Sequence, residues 1–521
     1  MLFRSNVFLR GAAALTVAGI AVKILGGVNR ILLSRILGGE GIGLYQIAYP
    51  VYMLGLSIAG AGVPIALSVM VAEKAAQGDY AGAERIFKVI FAFTAFMACL
   101  FGLLLFVGAG GLISAGLVRD VRAYSALIVL APALTVSVLT CAFRGYFQGL
   151  QLMVPTAASQ ICDQFVRVCV MLVAAVVLLP YGLETAVAGA AFGAVPGALA
   201  GFSVIAFLYY RHKRANKISE TVTKQEETAG ALIKRFVILA VPVAAANMLL
   251  PAVAGIDMLI VPMRLEVAGY SVQESTALYG YLTGMANGLI QVPTLLTVSL
   301  ATSLVPAVSA AFTAGNLSEV ESRTNTAMRI ANIITVPACL GLAVLAAPIS
   351  ELLYNTAAAG PAIRVLALAT FLIGLQQITN GLLQGMGHTG IPLLNMGISA
   401  LVKIVLSWYL TAIPWLGEVG AAWATNADIA LATALNIYFA GKYAAYRPEW
   451  FYIGRVFIAA AAMAGTAVLA YYSLVTTFGN SAATLISISI AGVVYAVGLF
   501  VVRAVRLRSL RRLPVVGKYI P

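Results

Sequence analysis

Long apolar runs alternate with short polar gaps from one end of this chain to the other. A helix crosses a bilayer with about 20 apolar residues, each rising about 1.5 Å. Fourteen runs meet that need, near 11–37, 42–72, 86–109, 123–143, 154–179, 186–210, 236–262, 278–311, 327–349, 363–384, 391–411, 419–440, 454–473 and 481–502. The pattern predicts an all-α polytopic membrane protein with about 14 transmembrane helices. Several runs exceed the bilayer and carry Gly or Pro, so they are expected to tilt, kink or extend past the hydrocarbon. The first run follows Arg4 and Arg10 and lacks a small-residue cleavage site before soluble sequence, so it reads as an uncleaved first span.

The same landmarks occur twice. Arg144-Gly145-Tyr146-Phe147-Gln148-Gly149 leads to Pro155, and Asn380-Gly381-Leu382-Leu383-Gln384-Gly385 leads to Pro392. A base follows within the next run, Arg167 in one copy and Lys403 in the other. Val63-Pro64 and Val305-Pro306 echo each other upstream. Gly189-Ala190-Ala191-Phe192 and Gly420-Ala421-Ala422-Trp423 do so downstream. The offsets, 242 (64 to 306), 236 (144 to 380) and 231 (189 to 420), keep two halves in step. Six spans per half is an even number, so the halves run parallel. The expected organisation is a six-helix bundle over 1–210, a cytoplasmic linker over 211–235 and a second six-helix bundle over 236–445. Two extra transmembrane helices and a basic cytoplasmic tail fill 446–521. A membrane chain built twice from one unit suggests a transporter with its site where the halves meet.

Composition agrees: 61% hydrophobic, 10% charged, mean hydropathy +0.96. A soluble chain of this length needs more surface charge. The net charge of +14 matters through its placement. Seven bases lie in 211–235 and six in 503–518, whereas the loops of the other side hold only Arg119, Arg122, Arg264 and Arg364. Basic loops stay inside, so both termini are expected in the cytoplasm of a bacterium, the chain spanning its inner membrane. No basic folded domain exists to bind nucleic acid. The inside clusters are expected to meet anionic membrane lipids. Cys99, Cys141, Cys162, Cys169 and Cys339 lie in apolar runs without metal-site spacing and read as buried thiols.

Five bases fall within the spans: Lys23, Arg30, Arg35, Arg167 and Lys403. Thr16, Gly19, Lys23, Gly26, Gly27, Arg30 and Ser34 form one small, polar stripe on the first span. A charge at that depth is costly and normally faces a cavity or a partner. Asp163 and Arg167 are four apart and can pair. Lys403 shares a stripe with Asn395 and Ser399 in a span without acids, which marks it as the less neutralised base. Asn287 and Gln291, with Thr283 and Thr294, line one face of span 8. Gln376, Asn380 and Gln384 line one face of span 10. These faces suit either a polar cavity or helix–helix hydrogen bonding. Asp257 follows Asn247 among three prolines (242, 251, 262) expected to break span 7. Freed carbonyls beside a carboxylate suit a cation. Asp428, with Asn426 close by, is the second candidate for Na⁺ or H⁺ coupling. A counter-ion to a buried base is the competing role for both acids.

No Walker motif is present, which argues against ATP hydrolysis. The best-supported class is a secondary transporter for an anionic, lipid-linked substrate, without cofactor. A membrane-embedded glycan polymerase or ligase is the rival, but Glu40, Asp120, Glu266, Glu274, Glu351 and Glu418 appear scattered and share no motif. A scaffold for a cell-wall complex is the third reading, against which the buried charges speak.

The stretch from Lys23-Ile24-Leu25-Gly26-Gly27 through Arg35-Ile36-Leu37-Gly38-Gly39-Glu40-Gly41 resembles the first span and first turn of the multidrug/oligosaccharidyl-lipid/polysaccharide exporter superfamily. The Gln-Gly and Pro landmarks match as well, and the likeness covers nearly the whole chain. Within it, the chain is similar to the stage V sporulation protein B-like polysaccharide exporters, which are related to lipid II flippases. The resemblance implies two six-helix bundles around a cavity, alternating access, and export of undecaprenyl-diphosphate sugars. It also implies a place beside cell-wall synthesis proteins in peptidoglycan or spore-cortex assembly. Lys23 stands where the flippases carry a cavity arginine, and Asn29, beside Arg30, where they carry a second. Their arginines of spans 2 and 8 have no match here. The drug-exporting branch, a cation-coupled multidrug exporter, is the alternative.

Overall fold

A computed structural model describes residues 2–216, 227–444 and 446–505; for 2–10, 12, 13 and 216 it places the backbone only. The polar middle of the linker, the tail from 506 and the side chains of Arg4 and Arg10 lie outside the described residues. Among the described residues every regular element is a helix. In chain order the helices are α1 (Leu2–Gly60), α2 (Val63–Ala76), α3 (Tyr80–Ser114), α4 (Tyr124–Gly149), α5 (Met153–Leu178), α6 (Leu183–Phe192), α7 (Ala194–Asn216) and α8 (Ala229–Val267). There follow α9 (Val272–Tyr279), α10 (Asn287–Thr313), α11 (Leu317–Val344), α12 (Ala346–Tyr354), α13 (Gly360–Gly385), α14 (Gly390–Leu410), α15 (Glu418–Ala444) and α16 (Trp450–Val501). A π-helical turn, Gly280–Ala286, joins α9 to α10.

Eleven helical segments are long and apolar enough to cross a membrane. Two of them, Ala14–Ala76 and Trp450–Val501, are long enough to cross twice. Each contains one glycine in a conformation only glycine adopts easily, Gly38 (φ 67°) and Gly479 (φ 72°). Around Gly479 the chain doubles back, so that Gly498 packs on Ala459. With α15, 27 residues long but less apolar, the segments account for the fourteen expected spans.

The repeated Gly-Gln-Gly landmarks are helix contacts and helix ends. Gly145 approaches Pro64 of α2 so closely that a Cβ would lie 3.0 Å from the proline Cα, and Gly149 packs on Ser68 and Val71. In the second copy, Gly381 and Gly385 pack in the same way on Ala301, Val305 and Val308 of α10. Each helix then ends in a left-handed residue, Gln151 (φ 59°) and Gly387 (φ 84°). The amides of Leu152 and His388 bond back to the carbonyls of Phe147 and Leu383.

The chain divides into two compact units, Met1–Met263 with Ser271–Gly280, and Arg264–Tyr270 with Tyr281–Pro521. In the first unit α8 packs into a core of α2, α3, α4 and α7, through Leu232, Phe236 and Ala240 against Leu67, Phe87, Tyr146 and Tyr209. In the second, α16 packs on α11 through Val456, Ala459 and Ala460 against Val336.

Two expectations are corrected. The three prolines do not break span 7: α8 stays helical for 39 residues. The thiols are not uniformly buried either; Cys99 and Cys169 are exposed on the helical surface, and only Cys339 is fully enclosed.

Candidate functional site

Each unit holds a polar cluster within apolar helices, built at corresponding repeat positions. In the first unit, α5 presents Asp163 and, one turn on, Arg167, whose Nη2 donates to Asp163 Oδ1 at 2.9 Å. From α4, Arg144 reaches the same carboxylate at 3.9 Å and donates to Ser159 Oγ at 3.5 Å. The second half of α1 adds Tyr45, Tyr49 and Tyr52 at the i, i+4, i+7 spacing of one helix face. Their rings follow one another at 5.5 and 5.9 Å, and Tyr52 meets the hydroxyl of Ser137 at 3.2 Å. Tyr45 and Tyr49 lie within electrostatic reach of both Arg167 and Arg30. The cluster therefore gathers two guanidiniums, Arg144 and Arg167, around a single carboxylate, with Arg30 near the tyrosines. The sequence reading missed Arg144, although it opens the repeated motif, and missed the three tyrosines, although their spacing marks a face.

The polar stripe of α1 splits on folding. Ser34 is fully buried, and Asn29 is buried with its amide against the sulfur of Met171 at 3.5 Å. Gly26 faces Gln164 of α5. Arg30 is half-buried and Lys23 exposed. Asn29, next to Arg30 in sequence, thus makes a contact between α1 and α5.

In the second unit, α13, α14 and α15 meet through a chain of amides. Asn395 donates to Asn436 at 2.8 Å, and Asn436 donates to Asn380 at 2.6 Å. One turn along α14 from Asn395, Ser399 donates to Asp428 Oδ1 of α15 at 2.5 Å. One turn further, Lys403 is 8% exposed. α14 has no acid of its own, and Asp428 of α15 reaches the polar face of α14 that also carries Lys403. Asn426 and Asp428 bond to different neighbours. Two residues apart, they leave the helix on opposite sides, and Asn426 donates to Val365 O of α13 at 2.7 Å. Gln291 donates to Asn287 at 3.1 Å along α10, so those two form a local pair. Asp257 sits half-buried on α8.

The acids between the spans are not all scattered. Arg122 Nη1 bonds Glu40 Oε1 at 2.7 Å, and its Nη2 bonds Asp120 Oδ2 at 2.7 Å. Thr276 of α9 donates to the same Asp120 oxygen at 3.0 Å. Burial pushes the Asp120 carboxyl up, but the bonds from Arg122 and Thr276 outweigh it and hold it below the usual aspartate range. Gly43 makes this docking feasible, since a Cβ there would collide with the carbonyl of Thr276. The cluster is a structural clasp of α9 onto α1. No group of three or more His, Cys, Asp or Glu side chains fit to hold a metal occurs among the described residues.

Comparison with known proteins follows the same lines. The family model described as polysaccharide biosynthesis protein matches residues 8–312, and MatE matches 267–409. The chain is 30% identical to stage V sporulation protein B of Bacillus subtilis (strain 168) over 519 residues, covering 99% of both chains. It is 27% identical to the lipid II flippase MurJ of the same organism over 423 residues, covering 77% of each. Among solved structures, lipid II flippase MurJ in an inward closed conformation matches with a TM-score of 0.71 at 16% identity, covering 94% of this chain and 98% of that one.

Proposed function

This chain belongs to the polysaccharide biosynthesis protein family and is a multi-pass membrane transporter, not an enzyme, and from that premise we propose that it moves a lipid-linked saccharide between leaflets. The substrate class in this reading is a polyprenyl-diphosphate sugar used in cell-wall or spore-cortex synthesis. The observation that carries the reading is the pair Arg144 and Arg167 around Asp163, with Arg30 near Tyr45 and Tyr49 beside it. Guanidiniums left in excess of carboxylates inside apolar helices fit a diphosphate, which accepts paired charge-assisted hydrogen bonds. An exporter of cationic drugs would need the opposite excess.

In this mechanism Arg30 and Arg167 bind the diphosphate, with Arg144 holding Asp163 in place. Lys23 on the exposed face of α1 meets the headgroup before it enters. Lys403 provides the second unit's positive charge. The isoprenoid tail stays in the bilayer, so only the headgroup has to be desolvated. The amides of Asn287, Gln291 and Asn380 are already engaged with protein partners and contribute polarity rather than direct charge. Coupling to H⁺ or Na⁺ falls to Asp257. Both termini lie in the cytoplasm, a reading supported by the bases of 211–235 and the tail.

The test uses the purified protein in vesicles holding a fluorescent polyprenyl-diphosphate sugar in one leaflet. The expected result is label that appears chemically unchanged in the other leaflet, faster than in protein-free vesicles. Unmoved label, or label converted to a new product, defeats the proposal.

A further inference from the structure

A cavity of about 310 Å³ opens at the basic end of the first unit, one helical turn beyond Arg144 and Ser159 and lined by neither. Its walls are Phe147 at the end of α4, Leu152 and Pro155 around the start of α5, and Leu208 of α7. At its rim α7 places Arg211 and His212. The geometry of α7 there is fixed from the other side. Lys213 and Tyr209 both bond Glu84, which is buried at 5% exposure and is also met by Lys88 at 3.2 Å. Arg211 lies two residues from both Tyr209 and Lys213, about 200° round the helix, so it points away from Glu84 and toward the cavity. The ring of His212 packs edge-on against Phe147 at 6.1 Å. Among the described residues no carboxylate pairs with Arg211.

We propose that this cavity is a binding site for an anionic membrane phospholipid, its phosphodiester at Arg211 and His212 and the first methylenes of its acyl chains against Phe147, Leu152 and Leu208. Three features fit that occupant. The walls are apolar, which a free inorganic anion does not need. The rim carries one cation, Arg211, which a neutral lipid does not need. The site lies at the ends of membrane-crossing helices, where a phosphodiester sits at headgroup depth. The lipid would brace the turn between α4 and α5 against α7. The proposal stands apart from the transport reading, because it concerns neither the arginine cluster nor the substrate.

The experiment places the full chain in nanodiscs of phosphatidylcholine with a minor share of phosphatidylglycerol, and counts retained lipid by native mass spectrometry. The wild type should retain phosphatidylglycerol preferentially, and Arg211→Gln should weaken that preference about tenfold, as expected for a lost hydrogen bond to a charged group. Val154→Trp, an exposed change at the cavity mouth, should weaken it without removing charge. Lys234→Gln, an exposed base outside the cavity, should leave it unchanged. If Lys234→Gln weakens retention as much as Arg211→Gln, the attraction is diffuse and no site exists. If undecaprenyl phosphate displaces phosphatidylglycerol at far lower concentration than phosphatidylglycerol itself does, the occupant is the substrate class and the phospholipid assignment falls.

Discussion

Ser399 of α14 donates to Asp428 of α15 at 2.5 Å, and this bond is the second unit's counterpart of Asp163. By the repeat offsets Ser399 corresponds to Asp163, Lys403 to Arg167, and Asp428 to Gly197. In the first unit the acid is on the same helix as the base, and the facing helix has a glycine pressed against Asp163 and Arg167. In the second unit the acid has moved to the facing helix and a serine receives it. The carboxylate has changed helices while its place in the packing is kept.

That exchange predicts a rescue. Asp428→Gly alone should lower thermal stability by about 1–3 kcal/mol, because Ser399 loses its acceptor and the face that carries Lys403 loses its acid. Adding Ser399→Asp should restore most of the loss, because it recreates the first unit's arrangement. A double variant no more stable than Asp428→Gly would show that the two carboxylates are not equivalent. The readout is the unfolding temperature of the purified protein.

The cationic residues can be separated from scaffold residues by charge-conserving changes. Lys23→Arg should keep substantial transport, while Lys23→Gln and Lys403→Gln should lose it at normal membrane abundance. Each lost contact to a charged group is worth about 1.5–3 kcal/mol, or roughly ten- to a hundredfold in affinity. Transport at wild-type rates in both Gln variants would leave the bases without a role in substrate binding. Failure of either variant to accumulate would mark that base as structural.

The clasp of α9 gives a pH dependence. Asp120 is held below its ordinary value of 3.8 by Arg122 and Thr276. Its contribution is complete above that value and is lost as pH falls through the lower value of the folded state. Asp120→Asn should therefore melt earlier than wild type at neutral pH, with the gap narrowing in acid. A gap that widens in acid would contradict the ion pairing.

Two glycines of α1 should respond in opposite ways. Gly43→Ala drives a methyl into Thr276 and should destabilise the protein and loosen α9. Gly19→Ala meets nothing within 4 Å. It should be neutral or stabilising by up to about 1 kcal/mol. Melting curves for the pair decide it, and equal losses would refute the close contact.

Orientation is open to labelling. In a background without native cysteines, Thr356→Cys should react with an impermeant thiol reagent in intact cells, and Asn216→Cys only after lysis. Reaction of both from one side would exclude the fourteen-span path.

The spans were legible because apolar length is written residue by residue, and even Gly38 and Gly479 fall between the runs that they separate. The contents of the clusters were less so. Asp163 and Arg167 were readable as a pair because they share a helix. Asp428 was not readable as a partner of the Ser399 face, since nothing in sequence ties α15 to α14. Glu40, Asp120 and Thr276 meet across three elements, which no local pattern encodes. Asn426 and Asp428 show the opposite case: they are close in sequence but bond to different helices, because residues two apart lie on opposing faces.

The unbroken α8 has a mechanical consequence. Pro242, Pro251 and Pro262 each lack an amide hydrogen, so the carbonyls of Ile238, Asn247 and Met258 receive no bond from four residues ahead. The helix thus has three evenly scattered points where its ladder is already open. Flexing it there breaks nothing, whereas flexing an ordinary helix must first cost a hydrogen bond. Asp257, one residue before the last of these points, therefore sits where bending the helix costs least.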